Sequence, residues 1–264
     1  MGFQERPSPV GQPVALFVTC LVDYLFPSTG IAAVRLLEHL GVTVRFPAAQ
    51  ACCGQPAYNG GYQREARPLA ERFLDVFRDV PVIVSPSGSC TTMIRHEYPR
   101  LFAADPPRLE QAQAIAARTW ELTEYLVDGL GVTDLGLRLD APQTFAIHDA
   151  CHGLRLLGLG RQARALLAAV ENARVVPLKD AGECCGFGGL FSVKMPDLSA
   201  ALLRKKIEQI RACEAPTIVT GDVSCMMHIN GGLAREGAFR RVRHIAEVLA
   251  EGLPERERDG QPRR

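Results

Sequence analysis

The sequence predicts an α/β protein made of two duplicated βαβ-type halves with mostly parallel sheets, related by a pseudo-two-fold axis. Three observations lead to this prediction: a repeated cysteine register, a matching order of strand and helix patterns, and a matching stretch at the end of each half. In each half a cysteine is followed by a Cys-Cys-Gly unit and then by a lone cysteine. Eight of the nine cysteines fit this rule: Cys20, Cys52, Cys53 and Cys90, then Cys151, Cys184, Cys185 and Cys225.

Each half opens with a strand pattern. "VALFVTCL" (14–21) and "TFAIHDAC" (144–151) are short β-rich runs that carry the first cysteine near their ends. Helical patterns follow in "IAAVRLLEHLG" and "QARALLAAV". The short strands "VTVRF" and "ARVVPL" then lead into the Cys-Cys-Gly loops.

The second part of each half repeats in the same way. Amphipathic helices, "REARPLAERFLDVFRDV" and "PDLSAALLRKKIEQIRACE", precede the apolar strands of "PVIVSPSGSC" and "PTIVTGDVSC". The stretches that follow, "ELTEYLVDGLGV" and "HIAEVLAEGL", also resemble each other. Strands alternating with helices predict parallel sheets, whose ligands bind beyond the carboxyl ends of the strands. Since the cysteines lie at or just past predicted strand ends, we expect one sheet edge in each half to bring four thiolates together.

The register also sets the predicted domain organisation. We expect a first cysteine-rich half over 10–125 and a second over 143–253. Residues 126–142 would join them, and residues 1–9 and 254–264 would form flexible tails.

Composition excludes several classes of partner and location. The net charge of +1 over 264 residues gives no electrostatic case for nucleic acid. No apolar run approaches the length of a membrane span, and the N-terminal stretch lacks the layout of a secretory signal. These features predict a soluble cytoplasmic protein with no transmembrane segment. In a reducing compartment, clustered cysteines indicate metal or redox chemistry more often than disulfides.

The Cys-Cys-Gly units favour a particular kind of metal site. Adjacent cysteines rarely bond to each other because the ring is strained. A zinc site made of four cysteines normally draws on Cys-x-x-Cys knuckles, and neither half has one. An iron–sulfur cluster can accept neighbouring cysteines on different metal atoms, and glycine lets the backbone approach its sulfides. The sequence therefore favours up to two iron–sulfur clusters of the [4Fe–4S] type, with zinc as the alternative.

Several strings carry a family resemblance: "FVTCLVDYLFPSTGIAAVRLLEHLG", "CCGQPAYNGG", "PSGSC", "HDACHGLR", "CCGFGGLFSVKMP" and "GDVSCMMHINGG". They resemble the cysteine-rich CCG domain that occurs in heterodisulfide reductase and in the iron–sulfur subunit of glycolate oxidase. From about residue 14 to 253, the chain resembles the lactate utilization protein A family, whose members are stand-alone pairs of such domains.

The resemblance implies an iron–sulfur electron-transfer subunit of a complex that oxidises L-lactate to pyruvate. It implies two partners, a ferredoxin-like iron–sulfur subunit and a small accessory subunit. The sequence has no recognisable flavin or nicotinamide motif: "GLGRQA" (158–163) fits a relaxed dinucleotide fingerprint but does not directly follow a predicted strand. We therefore expect a non-autonomous subunit of an oxidoreductase. The alternatives are a subunit that reduces a disulfide and a zinc-stabilised interaction module.

Three histidines lie near the cysteines of the second half. His148 and His152 flank Cys151 and could ligate metal, shuttle protons or donate hydrogen bonds to a cluster. We favour a supporting role behind the ligands or a surface position for both. His228 is expected on a helix surface.

Four other residues require an interpretation. The wider CCG pattern has a further cysteine three residues before the last one, and here those positions hold Ser87 and Asp222. Each half thus keeps four thiolates, the number that a conventional [4Fe–4S] cluster uses. Ser87 and Asp222 are expected in turns or behind the ligands. Cys213, outside the repeat, is expected to pack in the core, and Asp149 to form a turn or a cap.

Overall fold

The strands form two four-stranded parallel sheets in the computed structural model, which describes residues 6–254. The strands are β1 (Val14–Leu16), β2 (Val44–Arg45), β3 (Val82–Ser85), β4 (Thr119–Glu121), β5 (Arg138–Ile147), β6 (Glu171–Val176), β7 (Thr217–Thr220) and β8 (Arg241–His244). The first sheet has the order β2-β1-β3-β4 and the second the order β6-β5-β7-β8, all paired in parallel. The predicted fold class, two duplicated α/β halves, is confirmed. Residues 1–5 and 255–264 of the predicted tails lie outside the described residues.

Helices connect the strands in the same order in both halves. The first half has α1 (Cys20–Leu25), α2 (Pro27–His39), α3 (Gln55–Asn59), α4 (Gln63–Val76), α5 (Gly88–Thr92), α6 (Tyr98–Leu101), α7 (Pro106–Ala117) and α8 (Leu122–Glu124). The second half has α9 (Gln162–Ala168), α10 (Phe191–Lys194), α11 (Pro196–Ala212), α12 (Val223–Arg235) and α13 (Ile245–Glu251). Three π-helical turns complete the described chain: π1 (Met93–Glu97), π2 (Tyr125–Gly129) and π3 (Gly153–Leu157). None of the described helices is long and apolar enough to cross a membrane.

The first strand is shorter than its sequence pattern suggests. The expectation that Cys20 lies within the strand is wrong, because β1 ends at Leu16 and Cys20 begins α1. Thr19 adopts a positive φ of 71°, which breaks the extended chain just before the cysteine. In the second half, β5 ends at Ile147, and Cys151 lies in the turn that leads into π3. The short turn after each strand thus carries the cysteine out beyond the sheet edge.

One strand of each sheet has no counterpart in the sequence patterns. The strand β4 pairs with β3, and β8 pairs with β7, so each completes its sheet on the side opposite β2 or β6. They are only three and four residues long, too short to give a clear alternation. The strand β5 begins at Arg138, inside the predicted linker, so the domain boundaries stay a prediction.

The two halves contact each other through equivalent elements, as a pseudo-two-fold relation requires. Helix α2 packs on α13, and α9 packs on α8 and π2. At the first contact, the hydroxyls of Ser28 and Thr29 donate to Glu247 Oε1 at 2.8 and 2.7 Å. At the second, Gln162 Nε2 donates to Asp128 Oδ2 at 2.6 Å. A continuous apolar cluster runs through this interface, and it holds both sheets as one body.

Candidate metal centres

The four repeat cysteines of the first half meet beyond the carboxyl edge of its sheet. Cys20 begins α1, the Cys52–Cys53 pair lies in the loop before α3, and Cys90 lies in α5. The Sγ atoms form two close pairs, Cys20 with Cys52 at 3.6 Å and Cys53 with Cys90 at 3.4 Å. These distances far exceed a disulfide bond length of about 2.05 Å, and all four cysteines are free.

The second half repeats this arrangement. Cys185 Sγ lies 3.3 Å from Cys225 Sγ, and the thiol of Cys151 is hydrogen-bonded to that of Cys184. Cys185 and Cys225 are buried, whereas Cys151 and Cys184 are partly exposed. The structure thus brings together the four predicted cysteines of each half, and their role as metal ligands stays a proposal.

Two structural features require glycine at the third position of each Cys-Cys-Gly unit. Gly54 and Gly186 adopt φ values of 83° and 91°, a region that other residues rarely enter. Their amides donate to the thiols of Cys52 and Cys184 at 3.4 and 3.3 Å. A Cβ on Gly186 would lie 2.5 Å from the carbonyl oxygen of Ser199, so the next helix leaves no room for a side chain. Glycine therefore turns the backbone around the sulfur and lets the following helix pack close.

The same thiol in each half has a lowered pKa. Hydrogen bonds from Cys20, then Cys53 and the Gly54 amide, hold the pKa of Cys52 far below its usual value. Cys184 has an equally depressed pKa, with Cys151 as the main cause. In each half the arrangement thus favours the thiolate form of one cysteine, the form that binds metal.

The spacing of the sulfurs tests which metal site they fit. A tetrahedral ZnS₄ site with bonds of about 2.3 Å needs all four sulfurs about 3.8 Å apart. Within residues 6–254, no three cysteines have sulfurs that all lie within 4.8 Å of one another. The described sulfurs of each half therefore do not form such a tetrahedron, although single pairs at 3.3–3.6 Å come close to its edge length.

The histidines occupy different environments. His148 is buried, with 1% of its surface exposed, so the surface position considered for it is wrong. A ring nitrogen of His148 lies within 4.8 Å of the sulfurs of Cys185 and Cys225. His152 is half-buried, with Nδ1 3.8 Å from Cys151 Sγ. His228 is half-buried as well, and it lies against the ring of Phe187.

Ser87 and Asp222 face each other across the two halves. Each begins a helix: Ser87 Oγ accepts from the Cys90 amide at 3.3 Å, and Asp222 Oδ1 accepts from the Ser224 amide at 3.1 Å. Asp222 Oδ2 also accepts from the Ser89 amide at 2.8 Å and from Ser87 Oγ at 3.2 Å. Both residues cap helices, and they also link the two groups of cysteines, a contact that the sequence could not show.

The remaining candidates have structural partners. Asp149 forms a two-pronged ion pair with Arg164, at 2.7 and 2.8 Å, instead of capping a turn. Cys213 lies in the core, with its sulfur 3.7 Å from the carbonyl oxygen of Pro177. The "GLGRQA" stretch follows π3 and not a strand, so it lacks the context of a dinucleotide site.

The residues around the two groups of cysteines differ, although the cysteines themselves repeat. In the first half, Phe17 packs edge-on against Phe73, with ring centroids 4.9 Å apart. His148 and Lys206 occupy the corresponding positions of the second half, the latter by the same offset of 133 that relates Ala66 beside Gly54 to Ser199 beside Gly186. Lys206 is buried, donates to the carbonyl of Asp180 at 3.0 Å and interacts with Cys185 and Cys225. The second centre therefore has a buried cation and an imidazole where the first has aromatic rings.

The comparisons with known proteins agree with this architecture. A family model described as a cysteine-rich domain, CCG, matches residues 14–95 and 145–230. A protein named lactate utilization protein A from Exiguobacterium is 49% identical over 242 residues, which cover 91% of this chain and 98% of that protein. A protein of the same name from Bacillus subtilis is 45% identical over 236 residues, or 89% of this chain and 98% of that protein.

A solved structure has the same fold at low sequence identity. It is a hypothetical protein from Helicobacter pylori, with a TM-score of 0.61 and 12% identity. The match covers 97% of this chain and 53% of that chain. This likeness concerns the fold alone.

Proposed function

The chain belongs to the lactate utilization protein A family, built from two cysteine-rich CCG domains, and from this we propose that it is the iron–sulfur electron-transfer subunit of a complex that oxidises L-lactate to pyruvate. The proposal extends the resemblance seen in the sequence. The relatives supply the link to lactate through their names. The observation that supports the iron–sulfur part is that four thiols, two of them from adjacent cysteines, meet at each sheet edge without forming the tetrahedron of a single zinc ion.

The proposal assigns the eight repeat cysteines to two centres. Cys20, Cys52, Cys53 and Cys90 would hold one, and Cys151, Cys184, Cys185 and Cys225 would hold the other. When bound there, iron–sulfur clusters, in our proposal [4Fe–4S], take up and release single electrons. The chain contributes ligands, the backbone amides of Gly54 and Gly186 beside two of the sulfurs, and partial exclusion of water.

The electrons and the hydride released by lactate require partner proteins in addition to this chain. Oxidation of lactate to pyruvate removes two electrons and two protons, and it breaks a C–H bond. Carriers of single electrons do not accept the hydride that a flavin or a nicotinamide accepts. We therefore propose that this chain works with a ferredoxin-like iron–sulfur subunit and a small accessory subunit. Its nine free cysteines favour a reducing compartment, and we propose the cytoplasm.

Reconstitution with the two partner proteins tests this function. The full complex should reduce a dye when L-lactate is added, and omission of this chain should abolish the activity. Cys185→Ser should reduce the rate at least tenfold, whereas Cys213→Ser, which changes the one cysteine outside the repeat, should leave it nearly unchanged. Oxidation of lactate by this chain alone, or by the partners without it, would contradict the proposal.

The disulfide-reductase alternative is tested on the same preparations. Reduced viologen and an organic disulfide replace lactate and the dye, and thiol release is measured. The lactate proposal predicts no thiol release that depends on Cys185. Rapid release by wild type together with loss in Cys185→Ser would favour the alternative.

A further inference from the structure

The second centre has a buried imidazole beside its cysteines, and the first centre has none at the equivalent position. His148 stands 131 residues after Phe17, the same offset that relates Cys151 to Cys20. The side chain of Phe17 is apolar, and it packs against two other phenylalanine rings. His148 occupies the equivalent place with an imidazole that is almost fully buried.

Hydrogen bonding fixes which nitrogen of His148 carries the proton. Nδ1 lies 3.1 Å from the carbonyl oxygen of Ala181. Because a carbonyl only accepts, Nδ1 is the donor, and Nε2 of the neutral ring keeps its lone pair. The backbone amide of His148 donates to Val219 at 2.9 Å, and this bond holds the residue at the end of its strand. Metal-bound histidines are usually oriented in this way, with the other ring nitrogen donating to a carbonyl.

The remaining nitrogen faces the thiol of Cys225. Nε2 is buried, and apart from that thiol no residue between 6 and 254 hydrogen-bonds to it. A thiol is a weak donor, so a buried acceptor of this kind favours a stronger ligand. Two are possible: a metal held by Cys185 and Cys225, whose sulfurs lie within 4.8 Å of a ring nitrogen, or a water. A cavity of about 40 Å³ beside His148, also lined by Glu121 and Gly221, has room for such a water.

We propose that Nε2 of His148 is a ligand of the metal centre of the second half, on the side of Cys185 and Cys225. The inference rests on the proposed function, because that function supplies the metal. It makes the two centres chemically different, one held by sulfur alone and the other by sulfur and nitrogen. The repeat would then serve two tasks with one fold.

Nitrogen hyperfine spectroscopy tests the assignment. The chain is produced with ¹⁵N-histidine, purified anaerobically, analysed for iron and sulfide, and reduced with dithionite. Electron–nuclear double resonance should then show a strongly coupled histidine nitrogen in wild type. His148→Gln should abolish this coupling, whereas His152→Gln and His228→Gln, which change the two other nearby rings, should retain it.

The outcomes separate this inference from the function on which it rests. Iron and sulfide in both halves without a strongly coupled histidine nitrogen would overturn the inference alone, and Nε2 would then accept a hydrogen bond from Cys225 or a water. Zinc in place of iron and sulfide would overturn the proposed function. X-ray absorption at the zinc edge of wild type and His148→Gln would then decide whether His148 is a ligand. Should His148→Gln fail to fold, a coupling that persists in both control variants and in His39→Gln, His96→Gln and His244→Gln still identifies His148.

Discussion

Replacement of Gly186 by alanine should be one of the most damaging single-methyl changes in the chain. The new Cβ would lie 2.5 Å from the carbonyl oxygen of Ser199, a distance that real Cβ atoms essentially never show. The φ of 91° adds a backbone penalty of about 1–2 kcal/mol for a residue with a side chain. Overpacking against a fixed backbone atom adds about 1–3 kcal/mol. Gly186→Ala should therefore destabilise the protein by about 2–5 kcal/mol.

Two other glycines provide matched controls. Gly61 has a similar φ of 86° with nothing within 4 Å of its Cβ position. Gly61→Ala should therefore lower the free energy of unfolding only through the backbone strain, by about 1–2 kcal/mol. Gly54→Ala should fall between them, because its Cβ would lie 3.2 Å from the carbonyl oxygen of Ala66. Urea unfolding of the metal-free variants measures this order. A Gly186→Ala chain no less stable than Gly61→Ala would refute the steric explanation of the Cys-Cys-Gly unit.

Three further predictions concern charged residues. Asp222→Ala should keep most of the iron that Cys225→Ser loses, because the carboxylate caps helices instead of binding metal; equal losses of iron in the two variants would contradict this. Burial raises the pKa of Glu121 to about 7, so the free energy of unfolding should fall as pH rises from about 4.5 to 7. Glu121→Gln should flatten this pH dependence in unfolding measurements, and an identical pH profile in both proteins would count against the prediction. Lys206→Met should lower the reduction potential of the second centre, because it removes a buried cation that stabilises an added electron. A redox titration followed by electron paramagnetic resonance measures this potential, and an unchanged value would show that Lys206 does not influence the centre.

The features that could be predicted from the sequence are those that occur in both halves. The cysteine register depends on chain order alone, so it predicts two halves and the grouping of thiols at each sheet edge. Helices such as α4 and α11 carry long amphipathic patterns, and they form close to where those patterns lie. The short strands β4 and β8 lack such a signal, since they exist because a neighbouring strand offers a free edge.

The sequence does not show what depends on packing between distant segments. The burial of His148 comes from the strand end and the loop that contains Ala181. The contact of Asp222 with Ser89 joins residues 133 positions apart, and no local pattern predicts it. Comparing the two halves position by position could have found the replacement of Phe17 by His148, because each lies three residues before the first cysteine of its half. The replacement of Phe73 by Lys206 required the structure, because the offset between the halves changes from 132 to 135 across this helix.

Metal analysis of anaerobically purified protein distinguishes two iron–sulfur centres from zinc sites. Wild type, Cys53→Ser and Cys185→Ser are compared for iron, acid-labile sulfide and zinc, with electron paramagnetic resonance of the reduced samples. We expect iron and sulfide in wild type, and about half of each in either variant, while the unchanged half keeps its signal. Zinc without sulfide, or the loss of both centres from a folded single variant, would contradict two independent iron–sulfur sites.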